Sequence, residues 1–345
     1  MDILRRFRPR QAKDPRDKVN ALLGLSAWEG SVPLQPSYSF SVEKTYINAT
    51  LALIRLHNTL DDLEGHGSTT NHPKLPSWVQ DWSVTNVDGN GFSEIESRIG
   101  VYNAGGKLTK VVLCYDSILV VDTVSSVGTV CGTSMNSTQN IFALLKEWET
   151  MVASDAAGLE GAYANGKTRS DAFRSTLSAD MERQTRTISR GIGAPPREYY
   201  RSGDSSGGRR YAPGDHESDE EISRNWWVVV QASWEEEVEL KENWIRHLTS
   251  VVMKVIQHNR FFLTERGLMG IGGSGVSIGD KIFVLRGGKL PFILRSVQDQ
   301  RHGRECCHYL NNQRFHLIGT SYVHGIMDGE SLKDGTGKEG KVHLC

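Results

Sequence analysis

Apolar residues near the start of the chain recur at helical spacing and predict a short helix over residues 14–25. Asp14 has a side chain suited to capping this helix, and Pro15 suits its first position. Gly24 favours a stop at the other end. The apolar face consists of Val19, Leu22 and Leu23. Because so short a helix needs that face to be covered, we expect it to pack on the rest of the protein, with some surface beside it left uncovered.

Four further segments carry a helical pattern. Ser41 can cap a helix, and the residues that follow it at helical intervals are Val42, Tyr46, Ala49, Leu53 and Leu56. Helical spacing returns in residues 141–151, 171–181 and 226–258. These segments predict a largely helical N-terminal and central part.

Strand patterns occupy two other parts of the chain. Alternation and β-branched residues predict strands in residues 98–130, with a turn at 103–107. Residues 260–326 contain short apolar runs separated by Gly-rich turns, which is typical of an antiparallel meander or a small barrel. We therefore expect an α+β fold, with helical N-terminal and central parts, a C-terminal antiparallel β meander or small barrel, and a long disordered insert.

The insert is residues 182–219, where Arg, Ser, Gly, Pro and Asp dominate and large aliphatic residues are scarce. Loops of this length are uncommon inside compact domains, so we interpret it as a solvated tether. The expected organisation then has five parts: a remnant of a preceding domain in 1–13, a mixed α/β region in 14–181, the insert in 182–219, a helix plus β unit in 220–330, and a flexible tail in 331–345.

Charge and cysteine content exclude several classes of protein. The 345 residues include 40 Lys and Arg against 41 Asp and Glu, so we predict no nucleic-acid partner. Five cysteines without paired spacing fit a reduced compartment, and we predict a cytoplasmic location. The longest apolar stretch, residues 111–124, contains aspartates and is shorter than the ~20 residues of a membrane helix, so we predict no membrane span.

Three short motifs superficially suggest chemistry. Gly270, Gly272 and Gly275 have dinucleotide-site spacing, but a strand pattern follows them where that site needs a helix, so we interpret them as hairpin turn residues. Ser205 has the spacing of a nucleophile elbow, yet it lies inside the insert. The Cys/His cluster at 302–308 lacks the two separated ligand pairs of a structural zinc site. We therefore predict neither a metal nor a cofactor.

Five stretches, in chain order, resemble fungal heterokaryon incompatibility (HET) domain proteins. They are DPRDKVNALLGL (14–25), PSYSFSVEKTY (36–46), LPSWVQDWS (75–83), GDKIFVLRGGKLPFILR (279–295) and YVHGIMDGE (322–330). We expect their motif residues to serve structure or interaction, and these residues are Asp14, Pro15, Arg16, Asp17, Lys18, Gly24, Pro76, Trp78, Asp81, Trp82, Gly279, Asp280, Arg295, Tyr322, His324, Gly325, Asp328 and Glu330.

The resemblance implies a role in fungal nonself recognition and programmed cell death. The family's N-terminal core resembles Toll/interleukin-1-receptor domains, some of which cleave NAD, and it belongs before Asp14. We therefore expect a truncated, accessory or regulatory module without catalytic residues, with protein partners in incompatibility signalling. Arg16, Asp17 and Lys18 are expected to contact the missing domain.

Two alternative functions stay open. In the first, the chain is itself a small-molecule enzyme, with His324, Asp328 and Glu330 as titratable groups and with Trp78 and Trp82 as walls of a pocket. In the second, it is an interaction scaffold whose Trp-rich segments bind another signalling protein. The residues alone favour a structural interpretation, in which the titratable groups belong to a tight turn and the two indoles attach an irregular segment to the core.

Overall fold

The structure, a computed structural model, describes residues 4, 7–23, 34–60, 63, 70–84, 102–106, 115–132, 138–154, 157–180, 243–297, 314–333 and 338–345. The helices in this part of the chain are α1 (Asp17–Asn20), α2 (Val42–His57), α3 (Thr138–Val152), α4 (Arg169–Ser178), α5 (Asn243–Ile256) and α6 (Glu330–Lys333). The strands are β1 (Tyr115–Val127), β2 (Asn259–Thr264), β3 (Met269–Gly273), β4 (Lys281–Leu285), β5 (Phe292–Val297), β6 (Arg314–Val323) and β7 (Lys338–Leu344). The chain divides into two compact units. The first is made of Met1–Val127 with His258–Cys345, and the second of Gly128–Gln257.

The first unit is built around a closed barrel of six antiparallel strands. Neighbouring strands follow the order β2-β3-β6-β5-β4-β1, and β1 pairs with β2 to close the ring. This arrangement confirms the predicted α+β class with a C-terminal antiparallel barrel. Full closure removes the exposed strand edges on which chains aggregate.

Strand β7 pairs with two strands of the barrel, β1 and β6. It runs antiparallel to β1, with Leu119 opposite Glu339, and parallel to β6, with Phe315 opposite Leu344. Residues 331–345, which we expected to be a flexible tail, therefore include α6 and a paired strand. The expectation was wrong because Val342 lies buried in the core while its backbone completes the sheet.

Strand β1 comes from a part of the chain far from the other barrel strands. Its middle residues pair with β4, where Leu119 lies opposite Val284, and its last residues pair with β2, where Val127 lies opposite Phe262. The entire second unit is thus inserted between two strands that are neighbours in the barrel. The unit boundaries at 127 and 258 differ from the expected divisions of the chain.

Alternate residues of three barrel strands form one apolar face, as the two-residue period of a strand requires. This face is made of Phe283, Leu285, Phe292, Leu294, Phe315 and Leu317, all of them buried. Ile54 of α2 and the following Leu60 and Leu63 pack against it. Strands β4 and β5 are buried on the other face too, since Ile282 and Ile293 are fully enclosed.

The N-terminal helices form a second apolar cluster. It contains Leu4, Val19, Leu22, Leu23, Tyr46, Ala49, Leu53, Val79 and Trp82. The predicted apolar face of the first helix is therefore covered by α2 and by the 75–83 stretch, as expected. The regular helix α1 is shorter than predicted, because Asp14 accepts the Arg16 N–H at 2.9 Å and closes a separate turn before it. Gly24, the expected stop, lies outside the described residues.

Helix α2 follows its sequence pattern closely. The Ser41 hydroxyl accepts the Lys44 N–H at 3.2 Å and caps the first turn. Tyr46, Ala49 and Leu53 are buried, as their spacing predicts. The helix ends at Asn58, whose left-handed backbone (φ 51°) suits an asparagine.

In the described part of the second unit, the helices are α3, α4 and α5. Trp148 of α3 is fully buried, and its indole N–H donates to the Thr129 carbonyl at 3.2 Å. Thr168 caps α4 by accepting the Asp171 N–H at 3.0 Å. α5 packs against α4.

Two glycines that we interpreted as turn residues instead lie within a strand. Gly270 and Gly272 belong to β3, and only Gly275 lies in the turn that follows. A Cβ on Gly270 would lie 2.2 Å from the Phe262 ring, and one on Gly272 would lie 2.9 Å from the Ile293 side chain. These glycines are needed for close packing, a requirement that spacing in the sequence does not reveal. Strand β4 follows them, in agreement with the rejection of a dinucleotide site.

Several predictions concern residues outside the described part of the chain. These are the disordered insert at 182–219, the Ser205 motif within it, and the Cys/His cluster at 302–308.

Candidate functional site

Arg16 connects two of the family motifs. Its guanidinium pairs with both carboxylate oxygens of Asp14, with Nη2 2.7 Å from Oδ2 and Nε 3.0 Å from Oδ1. Its Nη1 donates to the carbonyls of Tyr38 at 2.6 Å and Phe40 at 3.0 Å. The bond with Arg16 holds the pKa of the Asp14 carboxyl below its usual value. Arg16 therefore attaches the 36–46 stretch to the 14–25 stretch.

The neighbours of Arg16 also bond within the chain. Asp17 accepts the hydroxyl of Tyr38, and this bond raises the pKa of that phenol. Lys18 Nζ donates to the carbonyls of Arg8, at 2.9 Å, and Arg10. We expected these charges to contact a further domain, and each of them has a structural partner in this chain. Contact with another domain stays a prediction.

Tyr46 of α2 makes a second connection between the same two motifs. Its hydroxyl donates to the Pro15 carbonyl at 2.7 Å, and its ring meets the His72 ring edge-on at 6.1 Å between centroids. Burial raises the pKa of the Tyr46 phenol. The hydroxyl is therefore held as a hydrogen-bond donor and stays protonated.

The 75–83 stretch is attached to the N-terminus by a buried arginine. Arg8 donates from Nη2 to the Asp81 carbonyl and from Nε to the Val84 carbonyl, each at 2.8 Å. Its guanidinium carbon lies 5.6 Å from the centre of the Trp82 ring, within cation–π range. The basic start of the chain thus takes part in the fold of this motif.

The Asp81 carboxylate is buried and accepts four hydrogen bonds. Oδ1 accepts the Ser83 N–H at 2.9 Å and the Ser83 hydroxyl at 2.6 Å, and Oδ2 accepts the Thr70 hydroxyl at 2.9 Å and the Asn71 N–H at 2.8 Å. Burial acts to raise the pKa of Asp81, but these bonds outweigh it and the pKa lies below its usual value. A carboxylate engaged in this way organises a loop and is poorly placed to transfer a proton.

Ser77 attaches the same stretch to the barrel. Its hydroxyl accepts the Leu317 N–H of β6 at 2.9 Å and donates to the Cys345 carbonyl, which also receives the Ser77 N–H at 2.9 Å. One side chain therefore bonds both β6 and the residue after β7. The neighbouring Trp78 is half-buried and packs against both apolar clusters.

Both tryptophans of the 75–83 stretch pack against apolar clusters. Trp82 is 1% exposed within the N-terminal cluster, and Pro76 accepts the Val79 N–H in the turn that precedes it. Trp78 contacts the apolar cluster of the barrel. Trp82 is therefore enclosed in the core, whereas Trp78 is only partly buried.

Asp280 and Arg295 form an ion pair across β4 and β5. Arg295 Nε lies 2.7 Å from Asp280 Oδ1, and Nη2 lies 2.9 Å from Oδ2 and 2.7 Å from the Gly275 carbonyl. Asp280 Oδ2 also accepts the Ser277 N–H at 2.8 Å. The bond with Asp280 raises the pKa of Arg295. Gly279, with φ at 88°, makes the tight turn that brings Asp280 into place.

The 322–330 stretch contains the titratable groups that the sequence singled out, His324, Asp328 and Glu330. The Tyr322 hydroxyl and His324 Nδ1 lie 2.9 Å apart, and both residues are buried. The backbone N–H of His324 donates to the Met269 carbonyl at 2.9 Å. Glu330 Oε2 accepts the Asp328 N–H at 2.7 Å, after a turn in which Gly325 has φ at 88°. His324 is buried, whereas Asp328 is exposed and Glu330 is partly exposed.

Sequence reasoning missed the residues that connect the motifs. Arg8, Tyr38, Tyr46 and Ser77 each bond a motif stretch to another part of the chain, and none of them was singled out as a site residue. Tyr38 and Ser77 lie inside quoted motifs, so their position was a usable signal. Arg8 lies in the basic segment that we interpreted as a remnant of another domain.

Among the described residues, no group of three or more His, Cys, Asp or Glu side chains is arranged to hold a metal ion. Among their helices, none combines the length and apolar character needed to cross a bilayer.

The fold and the motif contacts define a class: an antiparallel barrel protein whose N-terminal helices are attached through charged and aromatic motif residues. Residues 228–340 match the Het-6 beta-barrel domain. A segment of 114 residues is 28% identical to heterokaryon incompatibility protein 6, OR allele, of Neurospora crassa, and it covers 31% of this chain and 15% of that protein. No solved structure matches the chain.

These comparisons confirm the resemblance to fungal heterokaryon incompatibility proteins in the C-terminal part of the chain. The matched segment contains β2 to β6 and the start of β7. It does not contain β1, the strand that closes the barrel. The structural barrel is therefore larger than the matched segment.

Proposed function

We propose that this chain is an accessory, non-catalytic region of a heterokaryon incompatibility protein that acts in nonself recognition and regulated cell death in the cytoplasm. Its motif residues attach the N-terminal helices to the barrel, and its exposed motif surface serves protein partners in incompatibility signalling. The main support for this proposal is that the polar side chains described in four stretches, 14–25, 36–46, 75–83 and 279–295, bond to one another or to nearby backbone.

The contacts of the charged motif residues support this proposal. Asp14 and Arg16 pair with each other, Asp81 accepts four hydrogen bonds, and Asp280 pairs with Arg295. A catalytic acid or base needs a pKa suited to proton transfer and a free approach to substrate. The low pKa of Asp81 and its engaged oxygens serve the loop instead.

The 322–330 stretch, the alternative enzyme site, follows the same pattern. His324 is 4% exposed, and its ring nitrogen Nδ1 faces the Tyr322 hydroxyl inside the fold. A substrate would have to displace this contact to reach the imidazole.

Incubation of the purified chain with NAD, followed by chromatography of released nicotinamide, tests the proposal. We expect no release above that from heat-denatured protein. Turnover by the wild type that is lost in His324→Gln or Asp328→Asn, while both variants unfold at the wild-type temperature, would establish the enzyme alternative. Turnover unchanged in both variants would also contradict a non-catalytic role and would locate the site elsewhere.

A further inference from the structure

Large exposed apolar side chains concentrate in one part of the described chain. Those exposed by more than a third are Phe7 (36%), Tyr38 (57%), Phe40 (44%) and Ile278 (66%). Phe7 precedes the 14–25 stretch, Tyr38 and Phe40 lie in the 36–46 stretch, and Ile278 lies in the turn between β3 and β4. Scattered apolar residues on a surface need no explanation, but aromatic ones gathered at a set of family motifs do.

The segment that carries two of these rings, residues 37–41, is rigidly held, and we call it the SYSFS platform. Arg16 donates to the carbonyls on either side of Ser39, and its guanidinium lies 5.3 Å from the Tyr38 ring centroid. The Tyr38 hydroxyl is bound by Asp17. The Ser37 and Ser39 hydroxyls lie 2.8 Å apart. The Tyr38 side chain is thus exposed but held by two contacts, and the Phe40 backbone is held through its carbonyl, so a partner would spend little entropy in ordering this segment.

The surroundings of the platform are positively charged. Residues 7–23 and 34–44 contain six Lys or Arg and three Asp or Glu, although the whole chain carries a formal charge of −1. Arg10, Lys13 and Lys44 are exposed. Within the described chain, none of these three lies within ion-pair distance of a carboxylate. The acids beside them are already engaged, since Asp14 is paired with Arg16.

We propose that the SYSFS platform is a docking site for an acidic segment of a partner protein, whose apolar side chains cover Tyr38 and Phe40 while its carboxylates face Lys13, Lys44 and Arg10. Tyr and Arg are the residues most enriched among interface positions that dominate affinity. Opposite charge around an aromatic centre adds specificity and a faster association. The site deepens the proposed function, on which it rests, by naming the chemistry of the partner.

Panning a phage library of random peptides on the immobilised full chain tests this site. We expect the recovered peptides to contain an excess of Asp and Glu together with aliphatic or aromatic residues. Labelled copies of these peptides should bind about tenfold or more weakly to Tyr38→Ser/Phe40→Ser and to Lys13→Glu/Lys44→Glu, as measured by fluorescence anisotropy. Binding should also weaken with added salt. Ile278→Ser, which removes an equally exposed apolar side chain from the barrel, should bind like the wild type.

Three results would overturn the site. The first is recovery of peptides without acidic excess, or of peptides that bind the platform variants as well as the wild type. The second is platform-dependent binding to phosphatidylserine vesicles in place of peptides. The third is platform-dependent self-association of the chain in analytical ultracentrifugation. Each variant is first checked for unchanged thermal unfolding. The NAD assay is independent of these outcomes, so failure of the docking site and failure of the non-catalytic role are distinguishable.

Discussion

Val127 and Phe262 lie opposite each other in the pair formed by β1 and β2, although the whole helical unit of residues 128–257 separates them in the chain. Antiparallel neighbours of this kind can be joined by a short turn. We therefore expect that replacing residues 128–257 with a short Gly/Asn linker leaves the barrel folded. Far-UV circular dichroism and a single cooperative thermal transition measure this result.

The matched control for that deletion is the fragment 228–345, which keeps the Het-6 segment but lacks β1. It should be insoluble or fail to unfold cooperatively, because the pairing edges of β2 and β4 lose their partner. A cooperative fragment 228–345, or an aggregated deletion variant, would contradict the proposed barrel boundaries.

Two glycines of strand β3 offer a matched pair of substitutions. A Cβ at Gly270 would lie 2.2 Å from the Phe262 ring and 2.7 Å from the Tyr322 carbonyl, whereas a Cβ at Gly273 has no heavy atom within 4 Å. Gly270→Ala should lower the free energy of unfolding by about 1–3 kcal/mol through overpacking. Gly273→Ala should change it by less than about 0.5 kcal/mol. Urea unfolding measures both, and equal effects would show that β3 does not pack as described.

These glycines also mark where sequence reasoning reached its limit. Helix α2 and the barrel class could be predicted because their spacing reports local structure, with Ser41 as the cap and Tyr46 on the buried face. The roles of Gly270 and of β7 depend on which distant strands meet them. Such contacts leave no periodic signal in a single sequence.

Asp81 predicts a specific dependence of stability on pH. Its pKa is lowered in the folded protein, so its contribution is fully present above the unfolded value of about 3.9 and is lost as pH falls through the folded value. Asp81→Asn should cost about 1–3 kcal/mol at pH 7, because one amide oxygen replaces two acceptors.

The same variant should lose less stability than the wild type when the pH is lowered from 7 to 3, as measured by urea midpoints. The Asn side chain does not titrate, so the Asp81 share of the acid sensitivity disappears. If the urea midpoints of the two proteins fall by the same amount between pH 7 and pH 3, the four hydrogen bonds do not lower the pKa of the Asp81 carboxylate.

The Asp280 carboxylate, which is 1% exposed, depends on Arg295 for its counter-charge. Arg295→Met removes that charge and frees the Gly275 carbonyl, and it should lower the free energy of unfolding by about 2 kcal/mol. Arg55→Met, an exposed position on α2, serves as the control and should stay within about 0.5 kcal/mol of the wild type. If Arg55→Met costs as much, the ion pair is not the source of the effect.

The candidate site was predictable only in outline. The motif stretches pointed to Arg16, Asp81 and Arg295, all of which make several bonds in the structure. The sequence does not predict the hydrogen bond between Arg8 and the Asp81 carbonyl. The two residues are 73 positions apart, and no pattern around either of them indicates the other. The sequence alone likewise offers no sign that Ser77 reaches β6.

The claim that the motifs attach the N-terminal region to the barrel is tested most directly at Ser77, by hydrogen exchange at the amide of Leu317. Ser77→Ala removes the acceptor of that N–H and one donor to the Cys345 carbonyl. We predict faster exchange at Leu317 and a loss of about 1–2 kcal/mol in the free energy of unfolding. Ser125→Ala, which removes an exposed hydroxyl bonded to the Leu263 carbonyl, should change neither. Unchanged protection at Leu317 in Ser77→Ala would contradict the account.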